Sequence, residues 1–238
     1  MTDTLEGDAR PPIRFRDERI EMSHGAGGKA SRRLVEGLIA PVLHNPTLAA
    51  LGDAARLDLE GARLAMTADA FVVNPLQFPG GSIGELAVHG TVNDLAVGGA
   101  RPRALVCTLV LEAGLEAGVL RAELEAMAAA ARAAGVEVVG GDTKVVEHGK
   151  ADSMYITTAG IGVADQRLSL SASSVQAGDR VLLSGPIGDH GITILLARGE
   201  LDLEADLESD TRAVWPFVDA LAEAAGQGVR CMRDPPRG

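Results

Sequence analysis

The sequence predicts a mixed α/β (α+β) fold. An N-terminal domain is built on a mixed β-sheet with helices on one face, and an incomplete second α/β domain follows. Three observations carry this. Strand-like apolar runs alternate with stretches of helical periodicity, and two of the runs look like a hairpin. With 238 residues, 46% of them hydrophobic, the chain can bury a core in two modest domains. Around 164–178 the composition shifts to Ser, Gln and Asp, a domain boundary.

Taken in order, residues 1–22 form a polar arm rich in Arg, Asp, Glu and Pro. The segment Ser31 to Leu43 keeps Leu34, Val35, Leu38, Ile39 and Val42 at helical spacing despite Pro41. Ala55 to Leu59 and Arg63 to Thr67 read as hairpin strands around Glu60-Gly61-Ala62. After Phe78-Pro79-Gly80-Gly81 a helix is expected from Ile83 to Val97, with Gly98-Gly99 past its end. Ala104 to Leu111 is a central strand, and the alanine-rich helix from Leu115 to Ala134 stops at Gly135. Val136 to Val139 and Met154 to Val163 close an N-terminal domain spanning 23–163. The partial domain, 164–238, opens with a strand over Arg180 to Ser184. A helix to Arg198 follows, then one from Thr211 to Ala225 that Pro216 interrupts.

Composition excludes several classes. The net charge is −11, the longest basic run is Arg32-Arg33, and aromatics are 3%. Nucleic acid and anionic membrane are therefore not expected partners. The polar N-terminus is no secretory signal, and no apolar run approaches the roughly 18 residues of a span. Cys107 and Cys231 do not keep a metal-ligand spacing. A soluble protein of a reducing, cytoplasmic compartment is expected.

The chemistry concentrates in three segments that set an aspartate among small residues. They are Thr67-Ala68-Asp69, Thr91-Val92-Asn93-Asp94 and Gly140-Gly141-Asp142-Thr143-Lys144. Asp69 and Asp142 arrive where buried strands should end. Hard oxygen ligands beside side-chain-free backbone suit a Mg²⁺–polyphosphate site. Asn93 and Asp94 lie inside a helix that neither favours. They sit on its wet face or reach a ligand. Gly140-Gly141 would free backbone N–H groups for phosphate, with Gly141 and Thr143 as nucleotide contacts and Asp142 and Lys144 on alternate positions. Asp53, between Gly52 and Ala54, is a fourth candidate metal ligand, and Asp189 and Asp234 are further contributors. The stretch His24 to Lys29 fits G-x-G-x-x-A but follows no convincing strand, and Ala30 breaks the P-loop pattern. It is either a linker before a helix or a loop in which Gly27, Gly28 and Lys29 close over phosphate. His89 reads as a satisfied helix residue.

In order, His24 to Ser31, Phe78 to Gly81, Gly90 to Ala96, Gly99 to Pro102, Gly140 to Val146 and Met232-Arg233-Asp234 resemble the HypE hydrogenase maturation family. That family belongs to the superfamily of aminoimidazole ribonucleotide synthetase, selenophosphate synthetase and thiamine-monophosphate kinase. The resemblance implies a two-domain α/β fold, a homodimer through the N-terminal sheets, and ATP and Mg²⁺ near the interface. It implies ATP-dependent dehydration of a carbamoyl group, carried on a C-terminal cysteine, to a thiocyanate that becomes the cyanide ligand of [NiFe]-hydrogenase. A carbamoyltransferase would be a partner. Asp53, Asp69, Asp94 and Asp142 would then hold Mg-ATP, Lys144 would neutralise phosphate, and Glu147 would accept a proton. The family's second domain continues past the Arg-Asp-Pro segment, so this chain reads as C-terminally truncated and unable to dehydrate its own cysteine. A superfamily relative acting on a free substrate is the alternative. A selenophosphate synthetase would carry Cys or selenocysteine in the first glycine loop, which this chain lacks. A non-catalytic ATP-binding interaction module is the third possibility.

Overall fold

The computed structural model describes residues 13–20, 22–25, 28–43, 45, 49, 51–201 and 205–235. Two compact units are present, one ending at Ala50 and the other running from Leu51 to Pro236. Gly27 and the final Arg237-Gly238 lie outside the described residues.

In the first unit a helical turn, α1 (Met22–Gly25), precedes α2 (Gly28–Leu34). A π-helical segment, Val35–Ile39, and α3 (Ala40–Val42) continue it. Pro41 has no N–H to return to the Gly37 carbonyl. The wider turn surrounds it, closed by the Ala40 N–H on the Val35 carbonyl, and the Gly37 carbonyl accepts the Phe15 N–H at 3.4 Å. A Cβ on Gly37 would lie 2.9 Å from the Arg14 carbonyl carbon, so glycine lets the arm cross the helix. His24 is buried, with Nε2 2.9 Å from Asp17 Oδ2 and its ring edge-on to Phe15.

The second unit is organised by a five-stranded sheet in the order β1-β2-β7-β5-β6. Its strands are β1 (Ala55–Leu59), β2 (Ala62–Phe71), β5 (Ala100–Glu112), β6 (Glu137–Val146) and β7 (Met154–Ala164). A two-stranded ribbon pairs β3 (Gln77–Phe78) with β4 (Gly81–Ser82). Only the β5–β6 pair is parallel, because α5 (Ala117–Ala134) forms the crossover between them. Gly135 caps α5 at φ 70°, the left-handed position where glycine carries no Cβ penalty.

Helices α4 (Ile83–Val97) and α5 cover one face of the sheet. Ile83, Val88, Val92, Leu105, Leu109, Met127, Met154 and Ile156 form the core between them. The helices cross closely at Gly84, where a Cβ would collide with the Glu123 backbone. Buried Glu123 accepts the Gly84 N–H at 3.1 Å and the Gln77 amide at 3.1 Å, giving α4 an N-terminal cap from its neighbour. Thr91 and Thr158, both fully buried, lock α4 to β7. Their hydroxyls lie 2.5 Å apart, and Thr158 donates onward to the Ala87 carbonyl at 2.9 Å. Among the described residues of this unit, the opposite sheet face carries no helix, and Met66, Val106 and Val163 there are 44%, 44% and 43% exposed.

Beyond β7 a smaller core gathers Ala96, Leu168, Val218 and Ala222. It joins the C-terminal end of α4 to α7 (Trp215–Ala225), and α6 (Asp189–Ala197) precedes it. Pro216 sits in the first turn of α7, where a missing N–H is harmless, so it opens that helix instead of interrupting it. The strand expected over Arg180 to Ser184 is not present. The segment is unpaired, and Val181 is 89% exposed because no neighbouring strand lies beside it among the described residues. No helix among the described residues is long and apolar enough to cross a membrane.

Candidate functional site

On β2, side chains alternate between the two faces of the sheet, so Ala65, Thr67, Asp69 and Phe71 share the face that carries α4. Gly90 of α4 rests on that row. A Cβ there would lie 2.7 Å from the Phe71 ring and 3.5 Å from Asp69 Oδ2. Asp94 follows one helical turn later and meets the Thr67 hydroxyl, with Oγ1 3.1 Å from Asp94 Oδ2. The same Oγ1 lies 3.0 Å from the carbonyl oxygen of Asp53. One threonine hydroxyl therefore ties Asp53, just ahead of β1, to Asp94 on the helix. Arg233 Nη1 donates to Asp53 Oδ1 at 2.5 Å, which brings Asp234 alongside.

These carboxylates repel one another. Burial pushes Asp94 up to about 7, opposed by the Thr67 hydrogen bond and reinforced by Asp69, Asp53 and Asp234. Asp234 is also raised, first by burial and then by Asp53, Asp210 and Asp69. When Asp94 carries a proton it can donate to Thr67 Oγ1, leaving the threonine hydrogen for the Asp53 carbonyl. Among the described residues, no three acidic, His or Cys side chains are gathered closely enough to cage an ion by themselves. The donor set is nonetheless hard oxygen throughout. Mg²⁺ commonly takes only one or two carboxylates and completes its shell with water and substrate phosphate. The cluster thus fits a metal–nucleotide better than a bare protein-held ion.

Asp142 does not join this cluster. The strand β6 continues through Gly140 to Lys144 instead of ending before it, so Asp142 is mid-strand and exposed. It pairs with Thr108, which pairs with Thr157, which pairs with Ala70. That row lies on the helix-free face, opposite Asp69. Three strand spacings, about 14 Å in all, separate it from β2. Asp69, too, lies inside its strand and not at the end. Lys144 Nζ sits 2.8 Å from Asp142 Oδ2 on the same face. Lys144, and then the Thr143 N–H, hold Asp142 below the usual carboxylate range. Gly141 has a structural reason: a Cβ there would collide with the Cys107 carbonyl, so only glycine permits this approach of β6 to β5.

Glu147 follows in the exposed turn after β6. Glu112 pins that turn by accepting the Gly149 N–H at 2.5 Å and the Ser153 N–H at 3.2 Å. Asn93 is buried, and its amide clamps the backbone ahead of α7. It donates to the Arg212 carbonyl at 2.8 Å and accepts the Val214 N–H at 2.8 Å. His89, expected to be satisfied, has a buried Nδ1 with no hydrogen-bond partner among the described residues, and burial lowers its pKa. Asp189 opens α6, where Asp210 accepts the His190 N–H at 3.2 Å. In the first unit, Gly28 begins α2 at φ 70° and Lys29 is exposed in its first turn. Sequence reasoning missed the Thr67 hydroxyl and the Arg233 guanidinium. Each stands within two positions of a flagged aspartate, the one cue that could have found them.

Two family models match the chain: "AIR synthase related protein, N-terminal domain" over residues 51–164 and "AIR synthase related protein, C-terminal domain" over 176–238. The carbamoyl dehydratase HypE of Azotobacter vinelandii is 51% identical over 94% of this chain and 65% of its own length. That of Escherichia coli K12 is 46% identical over 92% of this chain and 66% of its own. The chain thus spans about 65% of the length of such relatives. Among solved structures, a HypE–HypF complex superposes with a TM-score of 0.79 at 41% identity, covering 85% of this chain and 65% of that one. HypE in complex with ATP superposes at 0.69 with 46% identity, covering 90% and 63%. A thiamine monophosphate kinase from Aquifex aeolicus, 19% identical with a TM-score of 0.60 over 80% of this chain and 64% of its own, shares the fold. With this sheet and these motifs, the chain belongs to the HypE family of the AIR synthase-related superfamily.

Proposed function

We propose that this chain supplies the Mg-ATP-binding part of a carbamoyl dehydratase serving [NiFe]-hydrogenase maturation. The observation that carries the reading is the cluster of Asp53, Asp69 and Asp94, in which the Thr67 hydroxyl links Asp94 to the Asp53 carbonyl and Asp234 adds further charge. A cluster of like charges is stabilised by a divalent cation, and the HypE–ATP complex is a relative of this chain. Asp53, Asp69 and Asp94 would hold the metal, with Thr67 keeping Asp94 in register. Mg²⁺, when bound, would neutralise charge on the transferring phosphoryl group.

An amide oxygen leaves poorly until it is phosphorylated, and the chain's own groups address that step. Glu147 would take the proton released from the carbamoyl nitrogen. Because Asp142 and Lys144 face away from the acidic cluster, we assign them to a subunit interface formed by the helix-free sheet face. The exposed Met66, Val106 and Val163 there suit a homodimer. Cys107 is buried on the helix side of β5, and burial raises its thiol, which does not suit a carbamoyl carrier. The carbamoyl group would then arrive on another thiol, charged by a carbamoyltransferase partner, for which the HypF bound to HypE in a related complex is the candidate.

Calorimetry with Mg-ATP tests the site. Asp69→Asn should weaken binding at least about tenfold, the loss of one charged ligand contact. Unchanged affinity would remove Asp69 from the site and the cluster from the reading.

A further inference from the structure

The second unit holds a cation where the proposed metal should go. Arg233 Nη1 lies 2.5 Å from Asp53 Oδ1, with the arginine side chain 50% exposed and the aspartate 21% exposed. Asp53 in turn acts electrostatically on both Asp94 and Asp234. A guanidinium on Asp53 therefore offsets charge at the centre of the cluster. We propose that Arg233 is a stand-in cation, holding Asp53 while the site is empty and turning to nucleotide phosphate when the metal–nucleotide complex loads. The inference rests on reading the cluster as the Mg-ATP site.

The chemistry follows from competition for one oxygen. Were a divalent ion to take the Asp53 Oδ1 lone pair that now accepts from Arg233, it would displace or reorganise this contact. Coupling of that kind is reciprocal: whatever Arg233 gains from Asp53 is subtracted from the affinity for bare metal. Arginine is suited to the exchange, because its planar fork recognises carboxylate and phosphate with the same geometry. Once released, the half-exposed guanidinium lies beside a polyanion and can recover there what it lost at Asp53. Arg233 would then disfavour bare Mg²⁺ and favour Mg-ATP, a selectivity that a purely acidic site lacks. Its neighbour Asp234 ties the exchange to the backbone of 230–235.

The test is a pair of calorimetric titrations on wild-type protein, Arg233→Gln and Arg233→Lys, one with Mg²⁺ alone and one with ATP at saturating Mg²⁺. Arg233→Gln should bind Mg²⁺ about tenfold more tightly and ATP about tenfold more weakly, within the usual range of a coupling between sites. Arg233→Lys should restore most of the suppression of Mg²⁺ binding and little of the ATP affinity. Loss of both affinities would make Arg233 a fold-stabilising residue and overturn the proposal, as would no change in either. Hydrogen exchange on wild-type protein gives a second measurement independent of any variant. The amides of 230–235 should exchange faster with Mg²⁺ alone than with chelator, and slow again with Mg-ATP. Identical exchange in all three would also overturn it. Wild-type protein that binds neither probe would bring down the Mg-ATP reading, and this inference with it.

Discussion

Asp94→Asn separates what the acidic cluster costs the fold from what it does for a ligand. The Asp94 carboxyl is raised from 3.8 to about 7 in the folded chain, chiefly by burial and then by its acidic neighbours. Between about pH 4 and 7 the unfolded chain has released this proton while the folded chain keeps it. The unfolded state therefore binds fewer protons, and stability falls as pH rises through that window before levelling off above it. At 1.36 kcal/mol per pKa unit the cost is about 4 kcal/mol, which we halve to about 2 kcal/mol because the carboxyl is only partly buried. Asparagine removes the ionisation and retains an oxygen to accept from Thr67. In chelator at pH 7.5, Asp94→Asn should unfold about 4–8 °C higher than wild type. At pH 4 the gain should vanish. The same variant should lose most of its Mg-ATP affinity. Calorimetric melts at the two pH values decide the matter. An equal gain at both, or a lower melting temperature at pH 7.5, would refute the assignment of a strained carboxylate at Asp94.

Two further outcomes follow from the sheet. Val106→Arg places a charge at the centre of the helix-free face, so light scattering should show a monomer where the proposed interface makes the wild type a dimer. Far-UV circular dichroism should be unchanged, and a dimer that persists would place the interface elsewhere. Gly141→Ala puts a methyl group into the Cys107 backbone and should weaken the β5–β6 pairing by about 3 kcal/mol, judged from overpacking in other proteins. A urea midpoint equal to wild type would show that the edge strand yields at no cost.

Much of the fold was legible because its signals are local. The end of α5 is announced by Gly135, which takes the left-handed conformation that residue type favours. The start and end of α4 follow in the same way from Pro79-Gly80-Gly81 and Gly98-Gly99. What escaped depends on partners distant in sequence. The strand β6 runs through Gly140-Gly141, and Cys107 of β5 approaches Gly141 too closely for a side chain there. Arg180 to Ser184 has the composition of a strand but no neighbour to pair with among the described residues. The four aspartates expected at one metal centre illustrate the same limit. Asp53, Asp69 and Asp94 do gather, whereas the register of Asp142 through Thr108 and Thr157 to Ala70 turns it to the other face. Nothing local to the Gly-Gly-Asp-Thr-Lys motif reports that register. Thr67 and Arg233 escaped for a related reason, since hydroxyl and guanidinium gain their roles only from what folds against them.

The most direct measurement is anomalous diffraction at the manganese edge from crystals grown with Mn²⁺ and a non-hydrolysable ATP analogue. A peak among the carboxylates of Asp53, Asp69 and Asp94, on the α4 side of the sheet, is the predicted result. A peak beside Asp142 and Lys144, with the acidic cluster empty, would contradict the assignment of the nucleotide site.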